Sequence, residues 1–384
     1  MDMNFSAADA QFRRQVREFF STQYPKDLLQ KAASGVSLGK IDYQRAERAL
    51  AEQGWLCVNW PEQYGGPGWT PNQKYIFDQE LEAAGAISPV PMGVIYVGPV
   101  MCAFGSDEQQ ARWLPGVQKS TTFWAQGYSE PDAGSDLASL KMQAVKDGDS
   151  YRVTGTKIWT SLAQHADWMF LLARTSTEER KQQGITFLCV SMDSPGIEVH
   201  PIISIDGRHS LNRVTFDDVV IPVENRIGNE GEGWHYANFL LGNERTSYAH
   251  VAQKRMQMAA IGAFVSGDLY LNNDSAFRQS VDALHVRLDA LELTVLRTLA
   301  SVADGESPGD ESSILKILAT EIAQDITELA MLMHASSLVE KFEPDNPRQP
   351  AKATMEYLGT RAQSIYGGAN EIQKNIIAKR VLRL

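Results

Sequence analysis

The chain holds few cysteines, Cys57, Cys102 and Cys189 in 384 residues, an odd number with no Cys-x-x-Cys spacing. Neither a disulfide framework nor a thiolate zinc site is suggested, and a reducing compartment fits. Basic charge is also in deficit. With 36 Lys and Arg against 47 Asp and Glu the net charge is −11, which argues against a nucleic-acid backbone or anionic membrane as main partner. A local basic pocket for an anionic ligand stays compatible with that balance. No run approaches the ~20 apolar residues a membrane helix needs, and the start, Met1-Asp-Met-Asn-Phe-Ser6, has no basic and apolar leader pattern. The expectation is a soluble, cytoplasmic protein. The seven histidines form no His-Glu-x-x-His pair and there is no Gly-x-Ser-x-Gly elbow, so zinc and hydrolytic chemistry lack a carrier and no metal is expected. The loop Gly228-Asn-Glu-Gly-Glu-Gly233 has the wrong order for a dinucleotide fingerprint, and no βαβ pattern surrounds it.

What is present falls into three segments, long enough together for two or three domains. The first is helical. Ser6 and Asp9 form a capping pattern ahead of Phe12, Val16, Phe19 and Phe20 on one face, and Thr70-Pro71 opens another helix. Between them Trp60-Pro-Glu-Gln-Tyr-Gly-Gly-Pro-Gly68 is a turn-rich loop. From about Phe123 short runs rich in β-branched and aromatic residues, at Tyr151, Trp168, Ile185 and Asn212, predict strands of an antiparallel sheet or small barrel. In the last segment Val281, Leu284, Leu288, Leu291, Val295 and Leu299, and then Leu315, Leu318, Ile322, Ile326 and Leu329, step by three or four as bundle helices do. The expected class is α+β and multidomain: an all-α domain over 1–122, a β domain over 123–232 and a four-helix bundle over 233–384.

Four motifs occur in an order that resembles the acyl-CoA dehydrogenase family. They are the loop at Trp60, Gly127-Tyr-Ser-Glu-Pro-Asp-Ala-Gly-Ser-Asp136, Gly155-Thr-Lys-Ile-Trp-Thr-Ser161, and Asn370-Glu-Ile-Gln373 with the preceding Ser364-Ile-Tyr-Gly-Gly368. The resemblance implies FAD as cofactor, held by Gln126, Tyr128, Ser129, Ser135, Trp159, Thr160, Ser161, Asn370 and Glu371. It implies an acyl-CoA substrate, with Ser135 and Arg245 near the CoA arm, and an electron-transfer flavoprotein as acceptor. Short hydroxyl side chains on a rigid sheet suit charge that develops on a ring, and an aromatic wall excludes water. Taken alone, Trp159 reads as core and the serines as turn caps.

Many members carry a glutamate base where this chain has Gly367. Gly367 retains a backbone N–H, which in the family donates to the thioester carbonyl oxygen. The resemblance relocates the base to Glu244 in Leu241-Gly-Asn-Glu-Arg-Thr246, where a minority of members carry it, and leaves Glu371 as the rival carboxylate. Read without the family, Glu244 is a solvated helix carboxylate beside a basic neighbour. Two family elements are missing. Asp268-Leu-Tyr-Leu-Asn-Asn273 stands where many members have Arg-x-x-Phe-Gly-Lys, leaving Arg278 as a candidate phosphate ligand, and a Pro-rich stretch from Phe342 to Pro350 replaces a glycine loop. The expected function is dehydrogenation of an acyl-CoA to the trans-2-enoyl-CoA by a tetramer or dimer. Two alternatives stay open: a non-catalytic or FAD-completing subunit of a hetero-oligomer, and a flavin-dependent monooxygenase on the same fold.

Overall fold

The computed structural model describes residues 5–242, 249–303, 309, 312–334 and 349–384. Helices α1 (Ala7–Thr22), α2 (Lys26–Ser34), α3 (Lys40–Ala51), α4 (Pro71–Ala83), α5 (Gly98–Phe104) and α6 (Asp107–Gln118) come first. Their ends follow from local chemistry. The Ser6 hydroxyl accepts from Asp9 N while the Asp9 side chain accepts from Ser6 N, and Thr70 accepts from Gln73 N with Pro71 in the first turn. Val16, Phe19 and Phe20 are buried as the spacing predicts, and Phe12 meets Trp69 edge to face at 4.9 Å. The loop at Trp60 docks on a π-type turn, Met92–Val97, through Trp60 Nε1 donating to Val94 O at 2.7 Å.

Beneath that turn lies Glu47, buried and without a cationic partner among the hydrogen bonds it makes: Val90 N donates to it at 2.8 Å and the Ser120 hydroxyl donates to its other oxygen. Burial holds its carboxyl above the usual range, opposed by those two donors. The fold therefore binds a proton that the unfolded chain releases. Its contribution is fully present below the ordinary carboxylate value and is lost as pH rises through the raised one. Glu47→Gln, which keeps an acceptor for Val90 N, should raise the thermal midpoint at about pH 8, with the gain vanishing near pH 4. A lower midpoint at both pH values would show that the carboxyl proton is not the issue.

The sheet comprises β1 (Trp124–Gly127), β2 (Gln143–Asp147), β3 (Ser150–Ser161), β4 (Trp168–Arg174), β5 (Ile185–Ser191), β6 (Ile197–Ile203) and β7 (His209–Pro222), ordered β1-β4-β2-β3-β7-β6 with β5 also on β4. It is mostly antiparallel, while β4 runs parallel to β1 and β2. Strands β4 and β5 are apolar at nearly every position because both faces are covered. Phe170, Leu172, Phe187 and Cys189 join the core of the first helices, whereas Met169, Leu171, Leu188 and Val190 fill the opposite side.

Helix α7 (Gly233–Gly242) adds Tyr236, Ala237 and Leu240 to the first core. Then α8 (Val251–Gly267), α9 (Leu269–Asn273), α10 (Ser275–Ala303), α11 (Ser312–Met333), α12 (Gln349–Thr360) and α13 (Asn370–Ile376) follow. The stripes Leu284 to Leu299 and Leu315 to Leu329 interlock with Met258 and Ile261 in a separate bundle core. The bundle is tied back to the rest, with Lys352 Nζ donating to Ala33 O at 2.9 Å. No helix among the described residues is long and apolar enough to cross a membrane.

Candidate functional site

The site begins with an irregularity in β3. Lys157 pairs with Val214 and Thr160 with Asn212, so Ile158 and Trp159 together oppose Arg213. Such a bulge bends the strand and re-aims a side chain. Trp159 adopts a φ of 59°, left-handed backbone that is strained for a bulky residue, and its indole is 57% exposed. The core reading of this residue is therefore wrong. Thr160 turns inward instead. Its hydroxyl is buried with no hydrogen-bond partner among the described residues, and its carbonyl accepts from Asn212 Nδ2 at 3.1 Å. Ser161 is half-buried.

The motif after β1 is clamped against that bulge. Ile158 N donates to Ser129 O at 2.9 Å. Below it lies a buried ion pair: Lys157 Nζ donates to Glu130 Oε1 at 2.8 Å and to Tyr128 O at 3.1 Å. Glu130 also accepts from Lys141 N at 2.6 Å and Met142 N at 3.0 Å, so its carboxylate is satisfied on both oxygens. Burial pushes the Lys157 ammonium down to about 8, with Glu130 opposing the shift. A Cβ at Gly127 would lie 2.7 Å from Met169 Sδ and 3.0 Å from Leu171 Cβ, so a larger residue there would force the neighbouring side chains to shift. Gln126 and Ser129 are half-buried, Tyr128 packs edge-on against Phe170 at 5.8 Å, and Ser135 is exposed. The structure thus brings Tyr128 and Ser129 beside Trp159 to Ser161.

The second cluster surrounds the C-terminal motif. Gly367 and Gly368 take φ values of 64° and 80°, a turn that non-glycine residues resist. Lys316 on α11, buried, donates from Nζ to Gly368 O at 2.7 Å and to Asn370 Oδ1 at 3.2 Å. Asn370 Nδ2 donates in turn to Thr320 Oγ1 at 3.0 Å. The Asn370 side chain is thus engaged inside the bundle, while Glu371 is exposed in the first turn of α13. Glu244 and Arg245 lie outside the described residues. Arg278 is exposed on α10, and the stretch that replaces the basic family element forms α9, capped by Asp268, which accepts from Tyr270 N and Leu271 N.

Sequence reading missed Glu130, Lys157, Lys316 and Thr320. A signal existed for two of them. Lys316, Thr320, Ala323 and Thr327 recur at helical spacing beside the apolar stripe of α11, a second buried face with polar ends.

Three models of the acyl-CoA dehydrogenase family match this chain: the N-terminal domain over residues 6–121, the middle domain over 125–219 and the C-terminal domain over 231–382. The chain belongs to the acyl-CoA dehydrogenase family. It is 36% identical over 344 residues to the acyl-CoA dehydrogenase IpdE1 of Mycobacterium tuberculosis, spanning 87% of this chain and 86% of that protein. To the acyl-CoA dehydrogenase FadE26 of the same organism it is 30% identical over 402 residues, 100% of this chain and 99% of that one. Among solved structures, the Tcur3481-Tcur3483 steroid ACAD matches with a TM-score of 0.88 at 27% identity, over 100% of this chain and 99% of that one. The ChsE4-ChsE5 complex from Mycobacterium tuberculosis matches at 0.87 and 28%, over 100% and 99%.

The acyl-CoA dehydrogenases are flavoprotein oxidoreductases, and the residues here fit a flavin ring. An exposed indole is held in strained backbone at a bulge that Ser129 joins through its carbonyl and Ser161 follows two residues on, and neither serine hydroxyl makes a hydrogen bond among the described residues. Those are the features a planar group with a polar rim requires.

Proposed function

We propose that this acyl-CoA dehydrogenase uses FAD to oxidise an acyl-CoA thioester to its trans-2-enoyl-CoA and passes the electrons to an electron-transfer flavoprotein. The bulge that turns Trp159 out beside Ser129 and Ser161 carries the reading. A flavin held there would supply an acceptor for the β-hydrogen as hydride. The Ser129 and Ser161 hydroxyls orient its ring, the Trp159 indole excludes water, and Thr160 takes part through its backbone because its side chain faces inward. Glu130 and Lys157 keep the two segments in register from below. Glu244 removes the α-proton, and the Gly367 N–H donates to the thioester oxygen as negative charge develops there. Ser135 and Arg245 serve the CoA arm. Glycine at 367 vacates volume beside the reacting carbons, which favours a branched, cyclic or long acyl group, and one structural relative is a steroid enzyme.

A second reading has its own observation: residues 268–273 contain no basic side chain where the family commonly supplies a phosphate ligand to a neighbouring subunit. On that reading the chain completes its FAD site with a different acyl-CoA dehydrogenase subunit, and a hetero-oligomer takes the place of a homotetramer or homodimer. Anaerobic titration of the purified protein with an acyl-CoA panel separates the two. Bleaching of bound flavin by bulky acyl-CoAs is expected. Bleaching by short straight chains alone would remove the bulky-substrate claim, and flavin retention only after co-expression with a second chain would favour the hetero-oligomer.

A further inference from the structure

We propose that Lys316 is a positioning residue that sets the geometry and strength of the Gly367 N–H toward the thioester oxygen. The inference rests on the reading of Gly367 as that donor. Two consecutive glycines at positive φ are the least constrained backbone the chain can place at a reacting centre, so something else must fix them. Lys316 does this from α11. Its ammonium donates to Gly368 O at 2.7 Å and to Asn370 Oδ1 at 3.2 Å, which ties the turn and the first residue of α13 to one rigid helix. Gln373 Nε2 adds a longer bond to the same carbonyl at 3.4 Å. The N–H of Gly367 itself makes no hydrogen bond among the described residues.

A neutral side chain would serve packing at least as well. Lys316 sits beside the apolar stripe of α11, where its charge costs desolvation and lowers its proton affinity, and no carboxylate bonds it among the described residues; the nearest acidic influence is Glu371. A positive charge directly behind the turn favours negative charge building up in front of it. The step served is enolisation. The α-carbon gives its proton to the base, the C–H electron pair becomes the enolate double bond, and the displaced carbonyl pair rests on the oxygen that faces the Gly367 N–H.

The test is the titration of acetoacetyl-CoA bound to the flavin-loaded protein, followed by the absorbance of its enolate. The wild type should acidify the bound ligand. Lys316→Met should raise the midpoint by about one to two pH units, a 10- to 100-fold loss of enolate preference, less than the ~100- to 1,000-fold for deleting an oxyanion donor outright. Binding of S-butyl-CoA, a thioether without the carbonyl, should stay within about threefold, because it makes no use of the donor. Lys316→Gln, which keeps a donor for Gly368 O but no charge, should fall between, and it carries the comparison if the Met variant does not load flavin. A midpoint equal to wild type in either folded variant overturns the proposal. So does an equal loss for both ligands, which would make Lys316 merely structural. Absence of acidification in the wild type would instead remove the Gly367 reading and this inference with it.

Discussion

Glu244→Gln should slow flavin bleaching by an acyl-CoA about 100- to 10,000-fold, the range of a positioned general base, while acyl-CoA binding changes little. The argument is chemical. The α-proton of a thioester is weakly acidic, so the carboxylate must be ionised and desolvated by the bound substrate. Gln keeps the shape and removes the basicity. In the wild type the bleaching rate should rise with pH as the carboxyl loses its proton; in the variant the residual rate should not follow that limb. Glu371→Gln tests the rival carboxylate: compared at equal flavin occupancy, it should bleach within a few-fold of wild type, since Glu371 is exposed in the first turn of α13. Bleaching at the wild-type rate by Glu244→Gln would mean that the base lies elsewhere.

The second large effect is expected at the ion pair under the bulge. Lys157 is fully buried and Glu130 nearly so, and removing one member of such a pair leaves an uncompensated charge that costs about 3–5 kcal/mol. Lys157→Met strands the Glu130 carboxylate with only its two backbone donors. Glu130→Gln removes the contact that opposes the depression of the Lys157 proton affinity, so the amine titrates lower still. Each single variant should unfold at lower urea and lose flavin, because the same contacts hold Tyr128 and Ser129 beside Trp159. The double variant should recover most of the stability, to within about 2 kcal/mol of wild type, since neither charge is then buried alone. Simple additivity of the two losses would show that the groups do not act as a pair.

Much of this was readable in advance because the determinants are local. The caps at Ser6 and Thr70 lie within three residues of their partners, and the stripes of α10 and α11 repeat at the helical period. Strand β2 gives little signal because only Ala144 of its five residues is buried, and in β6 the short alternation Ile197-Glu-Val-His200 is interrupted by Pro201. The family motifs were visible only through resemblance, since a serine in a turn or a tryptophan in a strand has no function by composition.

By itself the sequence determined the order of helical and β segments, the helix starts and the family motifs, since each depends on neighbours a few positions apart. Tertiary structure decided which groups meet. Lys157 reaches Glu130 across 27 positions and Lys316 reaches Gly368 across 52, spacings that no periodicity encodes. It also decided where Trp159 points. Strict alternation would put Trp159 on the same buried face as Lys157, but the bulge against Arg213 inserts one residue and turns the indole outward. Register is a property of two strands, so one strand read alone could not reveal it.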